Sequence, residues 1–171
     1  LGFRLEDECL ALVFDAIKRL ADKKEQIYDE DIEAVVLEEV FRIPDKYRLI
    51  YLSVQCGNTG VPPTAALVME VDGEERRTAT FGVGPVDAAF NAVCELVGKQ
   101  PELKRYQVNA VTSGTDAQGE VTVRLEQPSE IKESGVTSAV GRGSDPDVIV
   151  ASVKAYLNAL NRLAKIEEER P

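Results

Sequence analysis

The chain has 171 residues, of which 44% are hydrophobic and 29% charged, and its net charge is −10. This length holds one ordinary globular domain with at most a small appendage. No run approaches the ~18 apolar residues of a membrane span. An acidic surface repels phosphate groups, so we expect neither nucleic acid nor a membrane as a partner.

Cysteine and histidine usage limits the chemistry further. The cysteines Cys9, Cys56 and Cys94 are odd in number and lack C-x-x-C spacing, which favours reduced thiols in a cytoplasmic protein. The chain contains no histidine, which argues against a zinc site and removes every Ser-His or Cys-His nucleophile pair. We therefore expect no catalytic residue, cofactor or metal in this chain.

Residues 1–45 predict a helical linker subdomain. Apolar residues recur at helical spacing from 6 to 22, and Asp29 can cap a second helix that Pro44 ends. Residues 1–46 hold 13 acidic and 7 basic side chains, and so carry −6 of the net charge. This pair has few core residues, and the chain does not begin with Met, so we expect a fragment that continues an upstream domain.

Residues 46–171 predict a second domain made of two β-β-β-α units. In the first unit, alternating apolar residues predict strands over 47–56, 64–71 and 74–81, and Asp72-Gly73 is typical of a type I′ hairpin. A helix is predicted from Pro85 to about Val97, because Val86, Phe90 and Val93 recur on one face.

The second unit repeats this order of elements. Strands are predicted over 103–111, 120–127 and 135–140, with a turn over 114–119 and a loop over 129–134. A helix is predicted from about Pro146 to Ile166. The fold class is therefore α+β with pseudo-symmetric units. Because helices cover only one face of the sheets, a second copy of the chain is the expected cover for the other face, as in a homodimer.

Two Gly-x-Gly sequences are predicted to be turns from a strand into a helix. Gly82 and Gly84 precede the first helix and Gly141 and Gly143 the second, 59 residues later (141 − 82). Such a turn presents free backbone N–H groups and the positive end of a helix dipole, which suit a small anion. The repetition suggests a ligand site at or between the copies, although a single turn of this kind is equally typical of a plain connection.

The charges near these turns favour a zwitterion over a phosphate. Asp87, Asp145 and Asp147 would repel a phosphate, Arg142 is the one cation, and neither turn has the lysine of a phosphate-binding loop. A zwitterion would place its carboxylate on the helix amides and its ammonium on Asp87. The aspartates have a structural alternative, in which they cap their own helices.

An apolar side chain on this ligand would need a pocket. Val86, Tyr106, Ala110 and Val148 would line one if the two units meet, or would belong to the ordinary core. The face on which Tyr106 and Ala110 lie depends on strand register, because a slip of one residue inverts it.

Three segments resemble the regulatory region of 2-isopropylmalate synthases. Residues 82–92 and 145–161 resemble its two signatures, and residues 21–32 resemble the helical linker that precedes it. The resemblance covers nearly the whole chain. It implies a domain that binds leucine as a feedback inhibitor and dimerises, with the acidic helical pair at 6–40 transmitting the signal.

The same resemblance implies what the parent enzyme does. That acyltransferase condenses acetyl-CoA with 2-oxoisovalerate in leucine biosynthesis, in a (β/α)8 barrel whose divalent metal lies outside this chain. By itself the chain is expected to bind the inhibitor and to catalyse nothing. The predicted amino-acid-binding residues are Gly82, Gly84, Pro85, Val86, Asp87, Ala88, Tyr106, Ala110, Gly143, Asp145, Pro146 and Val148.

Two other functions stay open at this point. Citramalate synthase carries a similar domain tuned to isoleucine, and Val86 stands where relatives can carry an aromatic residue. One methylene in such a pocket is worth only ~1–3 kcal/mol, so sequence does not separate leucine from isoleucine. The other alternative is a dimerisation module that has lost its ligand.

Overall fold

The chain divides into two compact units, Leu1–Pro44 and Asp45–Pro171. The computed structural model describes residues 14, 17, 18, 46–58, 60–110, 119–128 and 135–168. In the first unit, Phe14, Ile17 and Lys18 are helical. The rest of the predicted helical pair lies outside the described residues, so the linker over 1–45 stays a prediction.

The first half of the second unit has the predicted order. Its elements are β1 (Tyr47–Gln55), β2 (Thr64–Val71), β3 (Glu74–Phe81) and α1 (Pro85–Val97). The strands form an antiparallel sheet in the order β1-β2-β3. The hairpin between β2 and β3 has φ of 53° at Asp72 and 82° at Gly73. Positive φ at both central residues is what a type I′ turn requires, so the predicted hairpin is confirmed.

The second half repeats these elements. They are β4 (Glu102–Ala110), β5 (Gly119–Pro128), β6 (Val136–Asp145) and α2 (Val148–Glu168), and the strands form an antiparallel sheet in the order β4-β5-β6. The α+β fold of two β-β-β-α units is therefore confirmed. The predicted turn over 114–118 and the loop over 129–134 lie outside the described residues. No helix in the described part of the chain is long and apolar enough to cross a membrane.

Each helix covers one face of its own sheet, and α2 also reaches the other half. Alternate residues of β2 and β5 point into the core, where Leu67, Met69, Val121 and Val123 are buried. Helix α1 packs on the first sheet, whereas α2 packs on β5 and β6 and also contacts α1 and β1. The two halves therefore share one hydrophobic core.

The prediction that the second Gly-x-Gly is a turn is wrong. Gly141 and Gly143 lie inside strand β6, opposite Val123 and Val121 of β5. A Cβ at Gly143 would lie 2.5 Å from the backbone nitrogen of Ala155 and closer still to the carbonyl oxygen of Ala151. Helix α2 thus rests directly on the backbone of β6, and glycine is needed there for close packing rather than for a turn.

Equivalent residues of the two halves are separated by a different number of positions from the two glycine pairs. Gly84 accepts the first helical hydrogen bond of α1 from Ala88, and Asp147 accepts that of α2 from Ala151. These two residues are the N-caps, and they are 63 residues apart (147 − 84) rather than 59. Strand β6 therefore continues to Asp145, beyond its predicted end at 140.

Candidate functional site

The N-terminus of α1 has open hydrogen-bond donors. Its N-cap residue is Gly84, which has extended backbone (φ −155°) and no side chain to cap the helix, and a Cβ there would meet nothing within 4 Å. The N–H groups of Val86 and Asp87 donate no hydrogen bond to any residue that the structure describes. Since the first amides of a helix need outside acceptors, this end suits a small anionic group.

The turn before α1 is held closed by Asp87. Its Oδ2 accepts hydrogen bonds from the N–H of Val83 at 2.9 Å and from Nδ2 of Asn91 at 3.3 Å. Gly82 is needed beneath it, because a Cβ at Gly82 would clash with the backbone nitrogen of Ala88 and would lie 2.7 Å from that same Oδ2. Oδ2 of Asp87 thus closes the turn and does not cap the helix, while Oδ1 accepts no hydrogen bond within the described part of the chain.

The N-terminus of α2 is already filled. Oδ1 of Asp147 accepts from the N–H of Ile149 at 2.7 Å and of Val150 at 3.4 Å. Asp145 accepts from the N–H of Asp147 at 2.9 Å and pairs with Nζ of Lys154 at 2.7 Å. The hydrogen bond from Lys154 lowers the pKa of Asp145 below its usual value. Asp147 therefore caps α2 while Asp145 holds the turn before it, and this helix offers fewer open donors than α1.

Tyr106 contacts both helices. Its ring meets that of Phe90 of α1 edge-on, with centroids 6.2 Å apart. Its hydroxyl lies 2.8 Å from Oγ of Ser152 on α2. Ser152 donates its own proton to the carbonyl of Val148 at 2.6 Å, so Tyr106 is the donor in the first bond. The Tyr106 side chain is still 38% exposed, which leaves apolar surface beside both helices.

The register of β4 keeps Tyr106 and Ala110 on the predicted face. A bulge interrupts the pairing between Leu103 and Arg105, and beyond it Tyr106 lies opposite the buried Val123. Ala110 ends the strand opposite Gly119, and its side chain is not described. Val148 is 39% exposed, and its Cγ2 would lie 3.8 Å from a Cβ at Gly119.

An aromatic stack joins the two helices behind Tyr106. Phe90 stacks on Tyr156 of α2 at 4.4 Å between ring centroids. The hydroxyl of Tyr156 lies 3.2 Å from Sγ of Cys94, and burial raises the pKa of both groups. From the sequence, Phe90 was predicted only to lie on the apolar face of the first helix, and Ser152 was missed. A serine on the apolar face of α2 was the signal that could have identified it.

The predicted site residues fall into two neighbouring groups and one outlier. Val86 lies one turn before Phe90 on the same side of α1, which directs it toward the side of the helix that Tyr106 contacts. The first group is Gly82, Gly84, Pro85, Val86, Asp87 and Ala88. The second group is Tyr106, Ala110, Asp145, Pro146 and Val148. Gly143 stands apart, because it is covered by α2.

Comparison with known proteins assigns the chain to a family. Residues 26–164 match the family described as the LeuA allosteric (dimerisation) domain. Relatives named 2-isopropylmalate synthase are 66% identical in Nitratidesulfovibrio vulgaris, 56% in Solidesulfovibrio magneticus and 53% in Syntrophus aciditrophicus. Each alignment covers 99% of this chain but only 31–32% of the relative, so the chain spans about a third of their length. The resemblance in the two signatures is thus confirmed, and the chain belongs to the LeuA allosteric (dimerisation) domain family.

Proposed function

We propose that this chain binds leucine as the feedback-regulatory domain of a 2-isopropylmalate synthase. The observation that carries the proposal is the difference between the two helix starts. Helix α1 has unfilled N–H groups beside a glycine cap, whereas Asp147 fills the corresponding groups of α2. One small anionic group can therefore be accepted at α1, next to apolar surface.

The carboxylate of the ligand would lie at the start of α1. The N–H groups of Val86 and Asp87 would donate to it, and Gly84 leaves room for its approach because no neighbour occupies the position of a Cβ. Hydrogen bonds to a charged acceptor are worth about 1.5–3 kcal/mol each. The ammonium of the same ligand would meet Oδ1 of Asp87, because Oδ2 already accepts from the turn.

The isobutyl group would lie toward Tyr106. This ring is fixed from two sides, by Ser152 on α2 and by Phe90 on α1, and so presents a rigid apolar wall. Val86 lies one helical turn before Phe90 and Val148 one turn before Ser152, and both valines are incompletely buried. A ligand that covers them removes apolar surface from water at about 25 cal/mol per Å².

The remaining parts of the parent protein belong to the same proposal. The condensation of acetyl-CoA with 2-oxoisovalerate, together with its divalent metal, would belong to residues of the parent enzyme outside this chain. The chain would act there as a homodimeric regulatory module. Tyr51 and Phe81 support the dimer, because they are more than half exposed on the face of the first sheet that α1 leaves open.

Calorimetry with paired ligands tests the proposal. Leucine should bind, leucinamide should bind at least ~10-fold more weakly because it lacks the carboxylate, and 4-methyl-2-oxopentanoate should bind more weakly because it lacks the ammonium. Asp87→Asn should weaken leucine binding by about 10-fold or more while its side-chain oxygen still accepts from Val83. Asp145→Asn is the matched control at the other helix and should leave leucine affinity within about threefold.

Two outcomes would assign a different function. Tighter binding of isoleucine than of leucine would favour a domain of the citramalate synthase type. No heat with any branched-chain amino acid at millimolar concentration, with a dimer still seen by ultracentrifugation, would favour a dimerisation module without a ligand. The exposed apolar side chains of Tyr51 and Phe81 are the observation that keeps this second candidate open.

A further inference from the structure

A buried side-chain amide on α2 holds the first residue of β1. Oδ1 of Asn161 accepts from the N–H of Tyr47, and Nδ2 of Asn161 donates to the carbonyl of Tyr47, both at 2.9 Å. Both residues are only 5% exposed. Since β1 is an edge strand, these main-chain groups have no neighbouring strand on that side, and Asn161 takes the place of one.

Among the described contacts between α2 and the start of β1, this pair of hydrogen bonds is the most buried. Lys46 also pairs with Glu168 of α2 at 3.0 Å and with Asp72 at 3.5 Å, but all of these groups are partly or largely exposed. Exposed ion pairs are screened by water and contribute little. Removing the Asn161 amide would instead leave two buried main-chain groups without partners, which destabilises the native state more.

Helix α2 connects this contact to the candidate ligand site. It runs without proline or glycine from Val148 to Glu168, so nothing in it favours a kink. Asn161 lies 13 residues after Val148 (161 − 148), which is about 20 Å along the axis. The first turn of α2 holds Tyr106 through Ser152. A shift of α2 at the ligand end therefore displaces Asn161 as well.

We propose that Asn161 is a positioning residue that couples ligand binding to the main chain of Tyr47. Tyr47 lies where the chain enters its second compact unit. The inference rests on the proposed leucine site. Leucine that contacts Tyr106 and Val148 fixes the first turn of α2, and the rigid helix then fixes the amide that holds β1. Ligand binding thereby stabilises the hydrogen bonds of the Tyr47 main chain, two residues after the predicted linker.

Hydrogen exchange of this chain, with and without leucine, tests the inference. At 100 times the Kd, leucine should slow exchange of the Tyr47 amide by about 100-fold, as it does for the core amide of Val153 on α2. In Asn161→Ala, leucine should still slow exchange of the Val153 amide by about 100-fold. It should slow exchange of the Tyr47 amide by less than roughly twofold, because that amide then opens independently of α2. Leucine affinity by calorimetry should stay within about twofold, since Asn161 is about 20 Å from Val148 along the helix.

Asn158→Ala is the matched control. It removes an asparagine from the same helix, whose Oδ1 accepts, among the described residues, one long bond of 3.4 Å from the backbone N–H of Arg142. In this variant leucine should slow both amides as in the unmodified chain. Equal slowing of the Tyr47 amide in Asn161→Ala and Asn158→Ala would overturn the inference.

A measurement without substitutions covers the case in which Asn161→Ala fails to fold. During a leucine titration of the unmodified chain, the NMR signals of the Asn161 side-chain amide should shift with the same Kd as the Ser152 amide. A shift at Ser152 with none at Asn161 would refute the coupling and leave the leucine site intact. If neither signal moves and calorimetry shows no heat, the proposed function fails, and the inference fails with it.

Discussion

Gly143→Ala should destabilise the protein, because helix α2 leaves no room for a methyl group. The added Cβ would lie 2.5 Å from the backbone nitrogen of Ala155 and 2.8 Å from Cβ of Lys154, whereas ordinary contacts begin at 3.4 Å. To restore an ordinary contact with this nitrogen, helix α2 would have to withdraw by about 0.9 Å (3.4 − 2.5), and by more at the carbonyl oxygen of Ala151. The obstacle is backbone, which cannot rotate away as a flexible side chain can.

We expect this withdrawal to lower the free energy of unfolding by about 3 kcal/mol, the largest value typical of overpacked cores. The reason is that α2 buries residues along its whole length. For a protein of this size this decrease corresponds to a fall in Tm of roughly 6–12 °C. The assay is thermal and urea unfolding followed by circular dichroism, with the leucine affinity of the folded variant measured alongside.

Gly119→Ala is the matched control on the neighbouring strand. A Cβ there would make ordinary contacts, at 3.7 Å to the carbonyl oxygen of Asp145 and 3.8 Å to Val148. Its stability should stay within about 1 kcal/mol of the unmodified chain. If Gly143→Ala melts within 1–2 °C of this control but loses leucine affinity, the close packing on β6 is refuted, and Gly143 is a ligand contact as the sequence predicted.

Three further outcomes are expected. Tyr106→Phe should keep leucine affinity within about threefold, whereas Tyr106→Ala should lower it by about 10-fold or more through the lost apolar wall. The lowered pKa of Asp145 adds stability above its unfolded value of 3.8 that is lost as pH falls through the folded pKa, so acid unfolding should begin at higher pH once Lys154→Met removes the cause of the shift. Brief alkylation at pH 8, mapped by mass spectrometry, should modify the exposed Cys56 before Cys94, because burial raises the pKa of Cys94.

Local patterns in the sequence predicted most of the fold. The bounds of β2, β3 and α1 match the prediction at every residue, because alternation, the Asp72-Gly73 turn and Pro85 each act within a few neighbours. Strand β6 differs by five residues. Glycine is ambiguous in sequence, since the same residue permits a tight turn or the close approach of another element. Only the tertiary packing of α2 on β6 decides between these two uses.

The candidate site was predicted less completely, for a related reason. The sequence placed aspartates at both helix starts, but it did not distinguish the aspartate that caps its helix from the one that folds back over a turn. Asp147 is the N-cap and bonds forward to the first amides of α2. Asp87 lies three residues after the cap of α1 and bonds backward to Val83. One position in the turn thus decides whether a carboxylate fills the helix amides or leaves them open.

Under the proposed function, this difference would give the duplicated fold one ligand site instead of two. Each half supplies the same scaffold of a sheet and a helix, and equivalent positions hold Gly84 and Asp147. The half with the aspartate supplies a self-capped helix. This helix holds Tyr106 near its start and carries Asn161 about 13 residues further along. The half with the glycine keeps its amides available, and a glycine N-cap costs only roughly a few tenths of a kcal/mol relative to an aspartate. A ligand carboxylate would offset that cost, so binding would stabilise the half that lacks its own cap. The same ligand would also contact the helix of the half that has one.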